Sequence, residues 1–228
     1  MSKVLIIQAH PHIDNSLSLT VGNKFIEEYK KNNPNDTIIL RDLYDKEGVP
    51  PLNDVTMAAW KKQKNGQTLT VQESKMIERH NEWLDEFINA DKYVFINPMY
   101  NHFLPAEMKQ YLDLTAIARK TFKYTPKGSV GLLKNKKAIH IQASGSVYHK
   151  GGKWGVVKFF VKKAFHISSK DSCAVMDLGS LYLQNMLKFY GINDIDQIYV
   201  EGADAYSKKR PVILKTGLKE AVDKAKRF

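Results

Sequence analysis

The chain has 228 residues, 43% hydrophobic and 26% charged, an ordinary globular composition that excludes wholesale disorder and collagen-like repeats. At roughly 100–200 residues per domain, this length builds one large domain or two small ones around a substantial core. The formal charge of +11 favours anionic partners, and the single cysteine, Cys173, excludes an internal disulfide framework and any Cys-rich zinc module.

The opening Met1-Ser2-Lys3 leads into Val4-Leu5-Ile6-Ile7, too short an apolar run for a signal peptide or a bilayer span. No later stretch reaches the length of a membrane helix, so a cytoplasmic protein is expected. Val4–Ile7 is continuous, aliphatic and β-branched, as expected for a strand buried on both faces. Ser16 to Lys31 then carries a helical pattern, and Thr37-Ile38-Ile39-Leu40 is the second strand. A long excursion from Tyr44 to Thr70 follows, with Pro50-Pro51 and Asn65-Gly66 inside it. Val71 to Asn89 places Ile77, Leu84, Phe87 and Ile88 on one helical face. Tyr93-Val94-Phe95-Ile96 is the third strand, and Pro105 to Ala118 is a helix opened by proline, whose missing N–H costs nothing there. Ala138-Ile139-His140-Ile141 and Ile198-Tyr199-Val200 are the fourth and fifth strands, separated by a long basic and aromatic stretch, Tyr148–Asn193. Leu214, Gly217, Leu218, Ala221, Val222 and Ala225 mark the last helix at i, i+3, i+4, i+7, i+8 and i+11.

Strands alternating with helices imply right-handed crossovers and a parallel sheet covered on both sides. The expected fold class is α/β: a flavodoxin-like three-layer sandwich with a five-stranded parallel sheet. One domain over residues 1–228 is expected, with insertions at about 44–70 and 148–193.

The positive charge is concentrated. From Leu114 to Lys170 there is no Asp or Glu, yet Arg119 and twelve lysines fall there, and the rest of the chain is close to neutral. Such a segment reads either as attraction for an anion or as a solvated face without a dedicated partner.

Ligands of open parallel sheets bind beyond the carboxyl ends of the strands, which singles out three loops. The first, Gln8-Ala9-His10-Pro11-His12-Ile13-Asp14-Asn15-Ser16-Leu17-Ser18, lacks both the G-x-G-x-x-G and the P-loop patterns. Its hydroxyls before a helix suit a monophosphate, although Asn15 or Ser16 is equally a plain helix cap. His10-x-His12 has metal-pair spacing but no evident third ligand. The second loop, Asn97-Pro98-Met99-Tyr100-Asn101-His102-Phe103-Leu104-Pro105, can lay backbone and a ring against a flat ligand. The third, Gln142-Ala143-Ser144-Gly145-Ser146-Val147-Tyr148, is small enough to approach a ligand through its backbone.

Taken together, Met1-Ser2-Lys3-Val4-Leu5, the Asn97–Asn101 loop, Lys109-x-Tyr111-Leu112-Asp113, Lys120-Thr121-Phe122-Lys123-Tyr124-Thr125, Gly131-Leu132-Leu133-x-x-Lys136-Lys137-Ala138 and Glu201-Gly202 resemble the FMN-dependent NADH-azoreductases, within the flavodoxin-like quinone reductases. The resemblance runs nearly end to end. It implies a homodimer with one tightly bound FMN per subunit and NADH as electron donor. On the matching positions, His10, Ser16, Leu17 and Ser18 would hold the phosphate. Pro98, Met99, Tyr100, Asn101 and His102 would line the isoalloxazine, and Ala143, Ser144, Gly145 and Ser146 would meet its pyrimidine edge. Phe122, Tyr124 and Tyr148 would border the substrate pocket. The activity implied is ping-pong hydride transfer from NADH to the flavin and on to an azo dye or quinone. Catalysis would belong to the flavin, which accounts for a sequence without a visible triad or paired carboxylates. In the 148–193 stretch, Trp154, Phe159, Phe160 and Phe165 are read either as a roof over that pocket or as core of a helix layer. An electron carrier without NADH oxidation is the alternative from a different class, and a nucleic-acid-binding protein using the basic segment is a remote one.

Overall fold

The computed structural model describes residues 1–11, 14–149 and 176–228, and the structural statements below concern those residues. His12, Cys173, the lysines from Lys150 to Lys170, and the rings of Trp154, Phe159, Phe160 and Phe165 lie outside them.

In chain order the elements are β1 (Lys3–Gln8), α1 (Leu17–Asn32), β2 (Thr37–Asp42), α2 (Asp54–Lys64), α3 (Val71–Asn89), β3 (Lys92–Pro98), α4 (Ala106–Thr115), β4 (Phe122–Thr125), β5 (Gly128–Gly131), β6 (Lys137–Ser144), α5 (Leu178–Tyr190), β7 (Asp194–Glu201), a 3-10 turn (Ser207–Lys209) and α6 (Arg210–Ala225). The main sheet has five strands in the order β2-β1-β3-β6-β7. Every neighbouring pair in it is parallel. This is the expected flavodoxin-like α/β architecture. Strand order reverses between β1 and β3, so the loops leaving those two strands part to opposite sides and open a crevice.

Period-2 alternation explains why the β1 run is apolar throughout. Leu5 and Ile7 pack with Trp83, Leu84 and Phe87 of α3, Met108 and Tyr111 of α4, and Leu183 and Leu187 of α5. Val4 and Ile6 face the other way, onto Val21 and Phe25 of α1 and Ala221 and Ala225 of α6. Local signals set the helix starts. Ser16 caps α1 by accepting from Leu19 N, and Thr70 with Glu73 forms a reciprocal capping box on α3.

The structure fills in three stretches. The 44–70 excursion contains a helix, α2, started by an Asn53 cap and packed on α3 through Trp60 against His80 and Lys62 on Glu73. Its face is weakly apolar because it covers another helix rather than the sheet. The 148–193 stretch is not all insertion, since α5 is the ordinary crossover that brings β6 to β7 and buries Leu183, Leu187 and Tyr190. The helix expected to run from Pro105 to Ala118 stops at Thr115, where the Thr121 hydroxyl donates to the Thr115 carbonyl and the chain turns into the β4–β5 hairpin.

The basic segment also divides. Lys136 Nζ donates to the carbonyls of Ile88 and Ala90, and Lys137 Nζ lies 3.6 Å from Asp194. Both sit where β6 begins, at the edge of the sheet opposite the strand ends. These two cations lock the bottom of the fold and do not serve the ligand edge.

Candidate functional site

A cavity of ≈ 290 Å³ opens at the carboxyl ends of β1, β3, β6 and β7. Its first wall is the β1–α1 loop: His10, Ser16, Leu17 and Ser18, with Asp14 and Asn15 beside them. Asn15 takes a left-handed φ of 60°, turning the chain into the cap. The Ser16 and Ser18 hydroxyls lie 3.2 Å apart, and the first turn of α1 carries no acidic residue. Ser16 is thus a helix cap whose hydroxyl also lines the cavity. Its oxygen takes the Leu19 N–H, which leaves the Leu17 and Ser18 N–H groups outside the helix's own ladder. A helix N-terminus of this kind, flanked by two hydroxyls, suits a phosphate.

The second wall is Pro98, Met99 and Tyr100 at the end of β3. Pro98 is the last strand residue, opposite Ala143, and Met99 N donates to the Ala143 carbonyl at 2.8 Å. Tyr100 and Phe103 then exchange both backbone hydrogen bonds across a two-residue turn, Asn101-His102, at φ of 49° and 66°. A tight hairpin with both central residues left-handed matches strand twist, and it sends these two side chains outward. Neither Asn101 nor His102 lines the cavity; His102 Nδ1 instead meets the Tyr148 hydroxyl at 3.0 Å.

The third wall is Ala143, Ser144 and Gly145. Ser146 stays behind it, its carbonyl accepting from the Ser144 hydroxyl at 2.9 Å. Position 145 lies against the Asp204 carboxylate, and the Gly145 carbonyl takes the Asp204 and Ala205 N–H groups. That contact brings in a fourth wall, Ala203, Asp204 and Arg210, which the loop-by-loop reading missed. The signal was present: Glu201-Gly202 ends a strand, and the strand-end rule applies to β7 as to the others.

Phe122 and Tyr124 lie elsewhere. Phe122 is buried against Phe189 at 4.3 Å between centroids, while Tyr124 on the β4–β5 hairpin is 75% exposed. Tyr148 is set by β7, because the Glu201 carboxylate accepts the Tyr148 and His149 N–H groups at 3.1 Å and meets His149 Nδ1 at 2.7 Å.

Beneath the walls runs a buried polar network. Asn97 Nδ2 donates to the Pro98 carbonyl at 2.9 Å, which leaves its Oδ1 to accept from His140 Nε2 at 2.9 Å. His140 is fully buried, and burial pulls its pKa down to about 3, so the ring is neutral. Gln142 Nε2 donates to Asp177, whose other oxygen caps α5 at Ser180 N. The Leu178 and Gly179 N–H groups in turn donate to the His102 carbonyl at 3.1 and 3.3 Å. The last turn of the sheet, the start of α5 and the Tyr100–Phe103 hairpin are thus held as one body.

A family model described as Flavodoxin-like fold matches residues 2–225. An FMN-dependent NADH:quinone oxidoreductase 2 of Lactiplantibacillus plantarum is 48% identical over 211 residues, covering 92% of this chain and 91% of its own. The chain belongs to the flavodoxin-like FMN-dependent NADH:quinone oxidoreductase family. An FMN-dependent NADH:quinone oxidoreductase 1 of Lactococcus lactis is 39% identical over the whole of both chains. Among solved structures, an FMN-dependent NADH-azoreductase from Bacillus anthracis in complex with FMN superposes with a TM-score of 0.84 at 36% identity, covering 100% of this chain and 99% of that one.

The donor set fits the cofactor of that family: hydroxyls and a helix N-terminus at one end of the cavity, and the backbone edges of β3 and β6 at the other. Among the described residues no helix is long and apolar enough to cross a membrane.

Proposed function

We propose that this chain is an FMN-dependent NADH:quinone oxidoreductase that also cleaves aromatic azo compounds reductively, working in the cytoplasm as a homodimer whose subunits are single domains of residues 1–228. The observation that carries the reading is the convergence of the hydroxyl-flanked α1 N-terminus with the ends of β3 and β6 in one cavity. Near-complete coverage of relatives bearing that activity in their names supports it.

FMN bound there supplies reversible hydride chemistry. The side chains position and tune. Ser16, Ser18 and the Leu17 N–H receive the phosphate, with His10 closing that end. Pro98, Met99 and Tyr100 would lay backbone and a ring along the flavin, and Ala143, Ser144 and Gly145 would meet its polar edge through their backbone. His102 and Tyr148, paired with each other beside the Tyr100–Phe103 hairpin, would meet an entering acceptor. For the homodimer, apolar groups on α2 and on the β4–β5 hairpin (Met57, Tyr124 and Val130) are exposed and give a second copy surface to cover. Such a partner would bring Phe122 and Tyr124 of the hairpin toward a shared pocket.

The test is the visible spectrum of the purified protein before and after anaerobic NADH. A flavin band that bleaches on NADH addition, and returns with a quinone or an azo dye, is the expected result. A band that survives NADH makes the protein an electron carrier, and failure to bind added FMN ends the reading at its cofactor. Ser16→Ala should lower stability by about 1 kcal/mol through the lost cap. It should also weaken FMN several-fold, read by flavin fluorescence on dilution. Unchanged FMN affinity would leave Ser16 a cap and nothing more.

A further inference from the structure

We infer that Arg210 is the fixed cation of the phosphate end of this cavity and sets its selectivity for FMN over an unphosphorylated flavin. The inference deepens the FMN reading above and rests on it.

Three observations lead there. Arg210 lines the same cavity as Ser16 and Ser18, and it is the single Lys or Arg among the described residues that does. Its Nη2 donates to the Asn15 carbonyl at 3.0 Å, immediately before the α1 cap, so the guanidinium reaches the β1–α1 loop from 195 residues away. Finally, it sits where a cation is unfavourable for folding. Arg210 is the first residue of α6, preceded by Lys208 and Lys209, and that first turn holds no acidic residue. Positive charge at a helix N-terminus opposes the backbone dipole, so helix stability does not explain an arginine there.

Charge balance supplies the reason. A phosphate monoester carries nearly two negative charges at neutral pH. The helix end contributes about half a positive charge, and hydroxyls contribute none. Two carboxylates oppose the ligand: Asp14 lines the cavity, and Asp204 lies 4.0 Å from Arg210 Nη1. By this count Arg210 cuts the opposing excess at the phosphate end from about one and a half negative charges to about half of one. The planar fork can turn donors to a phosphate while keeping its bond to the Asn15 carbonyl.

The experiment titrates apoprotein with FMN and with riboflavin, following quenching of flavin fluorescence, for the wild type, Arg210→Gln, Arg210→Lys and the neighbouring control Lys208→Gln. Wild type should bind FMN more tightly than riboflavin. Arg210→Gln should weaken FMN by on the order of tenfold, with riboflavin unchanged, as expected for one lost charge-assisted contact. Arg210→Lys should fall between, and Lys208→Gln should match the wild type. Thermal unfolding of the Arg210→Gln apoprotein should occur no lower than in the wild type. FMN affinity unchanged in Arg210→Gln would overturn the inference. An equal loss for both flavins would overturn it too, since Arg210 would then act only by bracing the Asn15 loop. If wild-type protein binds neither flavin, the site reading itself fails, which is a separate result.

Discussion

Gly179→Ala should cost about 2–3 kcal/mol of stability and loosen FMN binding at the same time. Gly179 lies in the first turn of α5, directly against the Tyr100–Phe103 hairpin. A methyl there would sit 2.6 Å from Leu104 N and 2.7 Å from the Phe103 carbonyl carbon, closer than carbon contacts allow, and both neighbours are backbone. Nothing flexible can yield, so α5 must back away. That move breaks the Leu178 and Gly179 hydrogen bonds to the His102 carbonyl and frees the turn that fixes Met99 and Tyr100. Thermal unfolding with and without FMN is the measurement, and a drop of roughly 5–10 °C is expected for a chain of this size. The gap between the two conditions should narrow as well, because a weaker ligand stabilises less. A variant that keeps both its midpoint and its FMN-dependent shift would show that α5 does not hold the hairpin.

Acid should destabilise the protein through His140. Burial lowers the folded pKa of this ring to about 3, whereas an unfolded histidine titrates near 6.5. Above pH 6.5 both states are neutral and the ring adds no pH dependence. Below it the unfolded chain binds a proton that the folded one refuses, so stability falls steadily until pH approaches 3. Between pH 7 and pH 5 the loss from this residue is about 2 kcal/mol. Burial also lowers the pKa of His80, which adds to the slope in the same direction. Urea unfolding at the two pH values, in the wild type and in His140→Gln, separates the contributions. The variant starts less stable because Asn97 and Ser180 lose their neutral partner, but it should lose about 2 kcal/mol less on acidification. Equal acid losses in both proteins would place the proton elsewhere.

Much of this was legible from the chain alone. Val4–Ile7, Tyr93–Ile96 and Ala138–Ile141 stand out because parallel strands covered on both faces must be apolar at every position. Helix α3 was readable to the residue, its start written in Thr70 and Glu73 and its face in Ile77, Leu84 and Phe87. The β4–β5 hairpin was not, because Lys123, Tyr124, Gly128, Ser129 and Val130 are exposed and carry no alternating pattern. Helix α2 was hidden for a related reason: among its buried residues are only Thr56 and Ala59, too small a stripe to register.

The site divides along the same line. His10, Ser16, Ser18, Pro98–Tyr100 and Ala143–Gly145 follow from locating strand ends, since a doubly wound sheet binds ligands nowhere else as readily. Asn101 and His102 belong to the same loop, yet their left-handed turn directs them away from the cavity, an outcome set by backbone geometry rather than residue type. The cation of the site lies 195 residues from the carbonyl it holds. The sequence alone determined the five strands of the main sheet, helices α1, α3, α4 and α6, and the loops at the strands' carboxyl ends, because burial and capping act locally along the chain. Which side chains meet in the cavity, and that Arg210 is among them rather than Lys136 or Lys137, was decided only when the sheet brought β1 and β7 to one edge, since charge acts through space.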